Sequence, residues 1–288
     1  MENVIELKNV DKSLKNFKVN NLSFEVKKGF VTGFIGTNGA GKTTTLKMIL
    51  NLLKPDNGSL KVFGLDYAQH EKEIKERIGV VFDKNVFYET LTLKEMKKII
   101  APAYKQWSDN QFNYYIELFE LPLNKQVKTF SKGMKMKASL AFALAHNADL
   151  LIMDEPTSGL DPIFRRELLE LLRDLMQDEH KTILFSSHIT TDLDRIADYI
   201  SFIHNGEHIF TKEFYKIEEE YALVKGRLDL LDRETEQEFI AVRKADTGFE
   251  ALTNNIHSVT TTFGNEIFIE KASLEDIMYY TKRSRVNA

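Results

Sequence analysis

Up to about residue 210 the chain alternates between short apolar runs and segments with helical periodicity. The apolar runs carry β-branched residues and predict buried strands at 30–35, 150–153, 183–185 and 199–203. Leucine and isoleucine recur at helical spacing over 46–53, and Asp161-Pro162 supplies an N-cap and a first-turn proline for a later helix. This alternation predicts an α/β fold in which helices cover a largely parallel sheet.

Two further regions differ from this pattern. From about residue 85 to 145, aromatic residues lie in amphipathic helical segments, which predicts a helical subdomain inserted into the α/β domain. Beyond residue 211, the runs at 260–263 and 266–269 flank Gly264-Asn265 and predict a β-hairpin. Ser273 and Asp276 predict a capping box that opens a last helix. We therefore expect a main α/β domain over 1–210 and a small α+β extension over 211–288.

The composition narrows the function classes. Of the 288 residues, 43% are hydrophobic and 28% are charged, as in globular proteins. The formal net charge of −4 gives no bulk attraction to nucleic acid, so we expect no nucleic-acid partner. The absence of cysteine excludes disulfides and thiolate chemistry. The polar N-terminus predicts no signal peptide, and no apolar run reaches the roughly 18 residues that a membrane helix needs. A membrane function would therefore require a separate partner subunit.

The clearest chemical motif is Gly36-Thr-Asn-Gly-Ala-Gly-Lys42-Thr43, which fits G-x-x-x-x-G-K-[ST] between a predicted strand and a predicted helix. Glycines let backbone N–H groups surround phosphate oxygens, and the helix N-terminus adds its positive dipole end. We expect Lys42 to reach the β- and γ-phosphates and the Thr43 hydroxyl to coordinate Mg²⁺. The strand–loop–helix context disfavours the alternative, a glycine-rich turn without a ligand. The predicted nucleotide contacts are Gly36, Asn38, Gly39, Gly41, Lys42, Thr43 and Thr44.

Two acids follow the apolar run at 150–153. A buried strand that ends in Asp154-Glu155 places both carboxylates at the carboxyl edge of the sheet, where α/β proteins bind their ligands. Asp154 can hold Mg²⁺ through water, and Glu155 can act as general base toward an attacking water. Adjacent acids after a strand are most often a solvated loop, but the phosphate loop upstream favours the catalytic interpretation.

With these motifs the chain resembles the nucleotide-binding subunit of ABC transporters from about residue 2 to residue 210. The phosphate loop, the strand with its two acids, the loop Ser158-Gly-Leu-Asp161 and the sequence Ser-Ser-His188 occur in the family's order. The resemblance implies a P-loop NTPase core of ABC type with an inserted α-helical subdomain. It also implies that His188 contacts the γ-phosphate as a catalytic residue and that Asp161 acts across a dimer interface.

The resemblance extends to a signature motif in a degenerate form. The family signature Leu-Ser-Gly-Gly-Gln has its counterpart in Phe130-Ser131-Lys132-Gly133-Met134, in which the serine and the second glycine match. Ser131 and Gly133 are therefore implied contacts, at a helix N-terminus, of a γ-phosphate bound by the opposing subunit. Lys132 lacks the backbone freedom of glycine but can add a positive charge near the phosphates.

Two other positions depart from the family pattern. The family has a glutamine after the strand that 78–82 resembles, whereas this chain has Asp83. We expect Asp83 to touch Mg²⁺ or the attacking water and to couple the nucleotide state to a membrane partner, although its carboxylate adds negative charge beside the phosphates.

The aromatic residue that stacks on adenine in the family falls near Leu14. Either Phe17 replaces it, or base stacking is weak and the preference between ATP and GTP is relaxed.

The resemblance implies an ATPase that uses ATP and Mg²⁺ and that forms a homodimer or a heterodimer with a second cassette. Such a subunit drives export of a peptide or drug-like substrate through a separate integral membrane permease, and it is peripheral at the cytoplasmic face of the cell membrane. The degenerate signature and Asp83 resemble Gram-positive systems that export amphipathic peptides such as phenol-soluble modulins. We expect the extension over 211–288 to stabilise the dimer.

Two alternatives belong to other function classes. A soluble ABC-type ATPase that acts on ribosomes or nucleic acid usually carries two cassettes or long coiled coils, whereas this chain has one phosphate loop and no sustained heptads. A small GTPase would need Asn-Lys-x-Asp to bind guanine, and Asn124-Lys125-Gln126-Val127 ends in a side chain that cannot hydrogen-bond to the base. The transporter subunit is therefore the function that we expect.

Overall fold

The computed structural model describes residues 2–83 and 87–284. Its contacts divide the chain into two compact units, one that ends at Thr211 and one that begins at Lys212. Asn85, where the helical subdomain is expected to begin, lies outside the described residues. The two units are described in turn.

The first unit contains the alternating strands and helices that the sequence predicts. Its strands are β1 (Asn3–Leu14), β2 (Phe17–Lys27), β3 (Val31–Ile35), β4 (Asn57–Val62), β5 (Ile78–Val81), β6 (Leu150–Asp154), β7 (Thr182–Ser187), β8 (Tyr199–His204) and β9 (Glu207–Glu213), which runs just past the boundary. Its α-helices are α1 (Lys42–Ile49), α2 (Tyr67–Glu76), α3 (Leu93–Ile100), α4 (Asp109–Leu118), α5 (Lys132–Leu144), α6 (Pro162–Leu175) and α7 (Thr190–Ile196). The strands predicted from the apolar runs are confirmed.

One helix is shorter than its leucine spacing predicts. The apolar periodicity extends to residue 53, but α1 ends at Ile49. Asn51 then adopts a φ of +54°, a left-handed conformation that asparagine tolerates better than most residues. The helix cannot continue beyond such a residue, so Leu53 packs against the core from a turn.

A six-stranded sheet positions the site. Its strand order is β5-β6-β7-β3-β8-β9, and the pairings from β5 through to β8 are parallel. The register pairs Ile35 with Ser187 and Asp154 with Ser186. Because β3, β6 and β7 run in the same direction, the loops that follow them begin at one edge of the sheet.

A second, antiparallel sheet closes the core of the first unit. Its order is β2-β1-β4, and Phe24 of β2 stacks on Phe34 of β3 with ring centroids 5.2 Å apart. Leu46 and Ile49 of α1 are fully buried in the same cluster. The helix that follows the phosphate loop is therefore fixed by hydrophobic packing, independently of any ligand.

Among its described residues, the second unit combines a small antiparallel sheet with three α-helices. It contains α8 (Phe214–Glu220), β10 (Ala222–Gly226), β11 (Ala241–Ala245), β12 (Gly248–Thr253), α9 (Ile256–Phe263), β13 (Phe268–Lys271) and α10 (Leu274–Ser284). The sheet order is β11-β12-β10-β13. The capping box at α10 is confirmed, since Ser273 Oγ accepts from the Asp276 N–H at 3.1 Å and the Asp276 carboxylate accepts from the Ser273 N–H at 2.9 Å.

The predicted hairpin around Gly264-Asn265 is wrong. Residues 256–263 form α9, with Asn255 as N-cap accepting from the Ser258 N–H at 3.0 Å. Val259 and Phe263, one helical turn apart, are buried in the core of the second unit. Gly264, at a φ of +57°, ends the helix, so the glycine that suggested a hairpin turn marks a helix C-terminus instead.

None of the described helices is both long and apolar enough to cross a lipid bilayer.

The cap of α9 gives a test of this correction. Asn255→Ala removes the side-chain acceptor and should weaken the helix by about 1 kcal/mol. We expect the amides of 256–263 to exchange about fivefold faster in hydrogen–deuterium exchange of the full chain. Asn265→Ala is the matched control and should leave them unchanged, because a hairpin, but not this helix, would depend on Asn265. Faster exchange in Asn265→Ala and unchanged exchange in Asn255→Ala would instead support the hairpin.

Candidate active site

The phosphate loop lies between β3 and α1, as its sequence predicts. Gly41 is the N-cap of α1 with a φ of +111°, and a Cβ placed on it would lie 2.9 Å from Cζ of Phe17. Both the backbone conformation and the neighbouring ring therefore require glycine here. The buried Lys42 side chain turns back, and its Nζ donates to the Gly36 carbonyl at 2.7 Å. The ammonium group is thus held inside the loop that surrounds the expected phosphate position.

Glu155 contacts two other predicted site residues, Lys42 and His188. Its Oε1 lies 3.3 Å from Lys42 Nζ, and its Oε2 lies 2.6 Å from His188 Nδ1. Because the carboxylate only accepts, His188 Nδ1 carries the hydrogen, and Nε2 can donate to a further acceptor only in the imidazolium form. The backbone of Glu155 is left-handed, with a φ of +51°, which costs about 1–2 kcal/mol for a residue with a Cβ. Such conformations cluster at functional sites.

Asp154 and Thr43 form the second polar group at this edge of the sheet. Thr43 Oγ1 donates to Asp154 Oδ2 at 2.9 Å, and Ser186 Oγ donates to Asp154 Oδ1 at 2.6 Å. Sequence reasoning missed Ser186, although its place at the polar end of a buried strand was a signal. The described residues include no cluster of three or more acidic, histidine or cysteine side chains arranged to hold a metal. A hydroxyl and a carboxylate nevertheless fit Mg²⁺, which keeps several waters and takes further oxygens from substrate phosphates.

A cavity of about 590 Å³ brings most of the predicted residues together. Among the described residues, its lining is Leu14, Asn16, Phe17, 37–44, Asp83 and Glu155. Asp83 therefore lies at the phosphate pocket, as expected from its place after β5. The turn between β1 and β2 supplies the opposite end, where Leu14 and Phe17 offer apolar contacts.

Six predicted residues are outside the described lining of this cavity. Gly36, Asp154 and His188 contact residues that form it. The other three are Ser131, Gly133 and Asp161. Ser131 is the N-cap of α5, and its Oγ accepts from the Met134 N–H at 3.2 Å, with Gly133 in the first turn. Asp161 caps α6 and accepts from the Ile163 and Phe164 N–H groups at 3.1 and 3.0 Å. Neither set lines the cavity of its own chain, as a role in an opposing subunit would require.

Comparison with known proteins identifies the family. The family model described as ABC transporter matches residues 19–158. The bacitracin transport ATP-binding protein BcrA of Bacillus licheniformis is 34% identical over 281 residues, which cover 92% of this chain and 91% of that protein. The chain belongs to the ABC transporter ATP-binding proteins. It is an ATPase of that family, and the function inferred from its motifs is confirmed at this level.

Solved structures of ABC ATP-binding subunits have the same fold as this chain. The ATP-binding subunit of an ABC transporter superposes with a TM-score of 0.68 at 30% identity, covering 75% of this chain and 92% of that one. A dimeric post-hydrolysis state of the ATP-binding cassette MJ0796 bound to ADP and Pi gives a TM-score of 0.64 at 24% identity, covering 73% and 98%. The predicted P-loop fold of ABC type is confirmed.

The apolar end of the cavity predicts weak discrimination between purines. Asn16 is the one polar side chain that the β1–β2 turn contributes to the described lining, and a site without several bonding groups cannot strongly reject a related base. We expect GTP to displace a fluorescent ATP analogue within about tenfold of the ATP concentration required.

Phe17→Ala is the informative variant in this assay. The ring contacts a base without distinguishing its substituents, so the change should weaken ATP and GTP equally. A preference for ATP above about a hundredfold would show that the site reads the base by hydrogen bonds.

Proposed function

We propose that this ATPase drives export through a separate membrane permease, and that it works as a dimer closing around two nucleotides. The observation that carries the proposal is the arrangement around Glu155. One carboxylate, directly after β6, lies between Lys42 of the phosphate loop and His188, which directly follows β7, the strand between β3 and β6 in the sheet. General-base catalysis on a bound polyphosphate needs these three groups at one sheet edge.

Each side chain then has a defined task. Lys42 binds the β- and γ-phosphate oxygens, which draw its ammonium away from the Glu155 carboxylate. Glu155 accepts the proton of the attacking water, and His188, in its imidazolium form, donates from Nε2 to the γ-phosphate while Nδ1 stays bonded to Glu155. Backbone N–H groups of Gly36, Gly39 and Gly41 and the side chains of Asn38 and Thr44 complete the phosphate cradle.

Thr43 and Asp154, whose Oγ1 and Oδ2 lie 2.9 Å apart, are the residues that we propose to hold Mg²⁺. When bound, the ion neutralises charge that develops on the phosphates. Ser186 keeps the Asp154 carboxylate oriented, because it occupies Oδ1 and leaves Oδ2 facing Thr43. This arrangement of oxygen donors supports the assignment.

The second half of each site comes from the opposing subunit in this proposal. Ser131 and Gly133 at the start of α5 contribute a hydroxyl and backbone N–H groups to the γ-phosphate of the partner. Asp161 stands at the start of α6, where its loop reaches the same interface. The location of all three residues outside their own cavity supports this assignment.

Glu155→Gln tests the catalytic part. The amide still fits the site but cannot accept a proton, so ATP should bind while steady-state turnover falls by about a hundredfold or more. The closed dimer should then accumulate with ATP in size-exclusion chromatography. Glu170→Gln, which neutralises an exposed acid on α6, is the control and should behave as the native chain. A Glu155→Gln variant that is monomeric and fully active would contradict the scheme.

The finer proposal concerns cargo and place. We propose a peripheral subunit at the cytoplasmic face of the membrane, with an amphipathic peptide as the exported substrate. The support is the family resemblance of the degenerate signature and Asp83, together with a relative named for bacitracin transport. The second unit, from Lys212 onward, is proposed to stabilise the homodimer.

The cargo proposal predicts a specific stimulation. In the complex of this chain with its permease, an amphipathic helical peptide should raise ATPase activity severalfold, because cargo binding favours dimer closure. A peptide of identical composition with its apolar residues scrambled off one face should not. Equal stimulation by both peptides, or stimulation of the isolated chain by ribosomes or DNA, would contradict this proposal.

A further inference from the structure

An ion pair joins two side chains that the sequence places 49 residues apart. Lys132 Nζ, at the first position of α5, lies 2.9 Å from Oδ1 of Asp83, which follows β5. Both side chains are partly exposed, at 46% for Lys132 and 37% for Asp83. The start of α5, the helix that follows Ser131 of the signature motif, is thereby linked to Asp83, which lines the phosphate cavity.

Lys132 also lies against the loop that follows Glu155. A Cβ placed on Gly159 would lie 3.1 Å from Lys132 Nζ and 3.5 Å from its Cδ, so the lysine side chain packs against the glycine. Three segments therefore meet at this ammonium group: the end of β5, the loop after β6 and the start of α5. Ser131, the N-cap of α5, directly precedes the lysine.

The charge of the cavity explains why this contact matters. The charged side chains in its described lining are Lys42, Asp83 and Glu155. Asp83 without a partner would place a negative charge next to a bound polyphosphate, which repels it. An ammonium 2.9 Å from that carboxylate cancels most of the repulsion.

Fold stability does not explain the pair, because exposed ion pairs contribute little to it. The two residues are also the two charged departures from the family pattern described above, which has glutamine and glycine at these places. They carry opposite charges and contact each other, so each charge neutralises the other.

We propose that Lys132 is a positioning residue for ATP turnover: it neutralises Asp83 and holds that carboxylate at the phosphate pocket. This inference rests on the proposed function of the cavity and deepens it. It assigns one role to two substitutions that look unrelated in the sequence. The role differs from a direct contact of Lys132 with nucleotide, because the lysine acts through Asp83.

A double-mutant cycle on the purified full chain tests the pair. Lys132→Ala leaves the Asp83 charge unpaired and should raise KM for ATP about tenfold, with a smaller change in kcat. Adding Asp83→Gln removes the repelling charge, so the double variant should return to within about threefold of the native KM. The KM effect of Lys132→Ala should shrink at high salt, since partly exposed charges are screened. A purely structural role for Lys132 would show neither the rescue nor the salt dependence.

Two controls make the result decisive. Lys135→Ala breaks a comparable ion pair on the same helix, in which Lys135 Nζ lies 2.7 Å from Glu89 Oε1, and should leave KM unchanged. Lys132→Arg keeps the charge and should keep the native KM. The inference is wrong if the Lys132→Ala and Asp83→Gln effects simply multiply, or if the arginine variant behaves like the alanine variant. A Glu155→Gln variant with native turnover would instead overturn the proposed function itself.

Discussion

The parallel pairing of β3, β6 and β7 is the constraint on which the site depends. The register that sets Ile35 beside Ser187 and Asp154 beside Ser186 brings three loops to one edge of the sheet. A slip of one residue would turn the Asp154 side chain to the opposite face of the sheet, because side chains alternate along a strand. The contacts among Lys42, Glu155 and His188 are thus a consequence of backbone hydrogen bonding and of the buried strands around them.

The same constraint explains why nucleotide binding requires little rearrangement of the phosphate loop and α1. α1 is anchored in the core by Leu46 and Ile49, and the phosphate loop is closed by the bond from Lys42 to Gly36. A preformed cradle loses little conformational entropy when nucleotide binds. Glu155 already lies between its two basic partners, so binding exchanges charge partners at the site and leaves the strands where they are.

Much of the first unit could be predicted from the sequence because its signals are local. The phosphate loop needs only glycines, a lysine and a hydroxyl between a strand and a helix, and the buried strands are short apolar runs. The signal at Gly264-Asn265 was ambiguous for a physical reason: glycine at positive φ suits a hairpin turn and a helix end equally well. The buried pair Val259 and Phe263, which settles the matter, is visible only in the packed core.

The contacts that sequence reasoning missed are long-range. Ser186 reaches Asp154 across adjacent strands, and Lys132 reaches Asp83 across an intervening helical segment. No spacing rule connects such residues, because the fold alone decides which loops meet. Considered singly, Asp83 adds negative charge beside the phosphates and Lys132 lacks the backbone freedom of glycine, whereas together they form a neutral contact.

The position of β3 in the sheet has a consequence for synthesis of the chain. β3 ends at Ile35, but the two strands that flank it end at Ser187 and His204. During translation, this strand, which is fully buried in the folded protein, therefore has no partner strand at either edge until nearly all of the first unit has left the ribosome. An apolar strand with free edges is prone to aggregate. Nucleotide cannot protect the nascent chain during that interval, because it stabilises only a state in which the loops already meet.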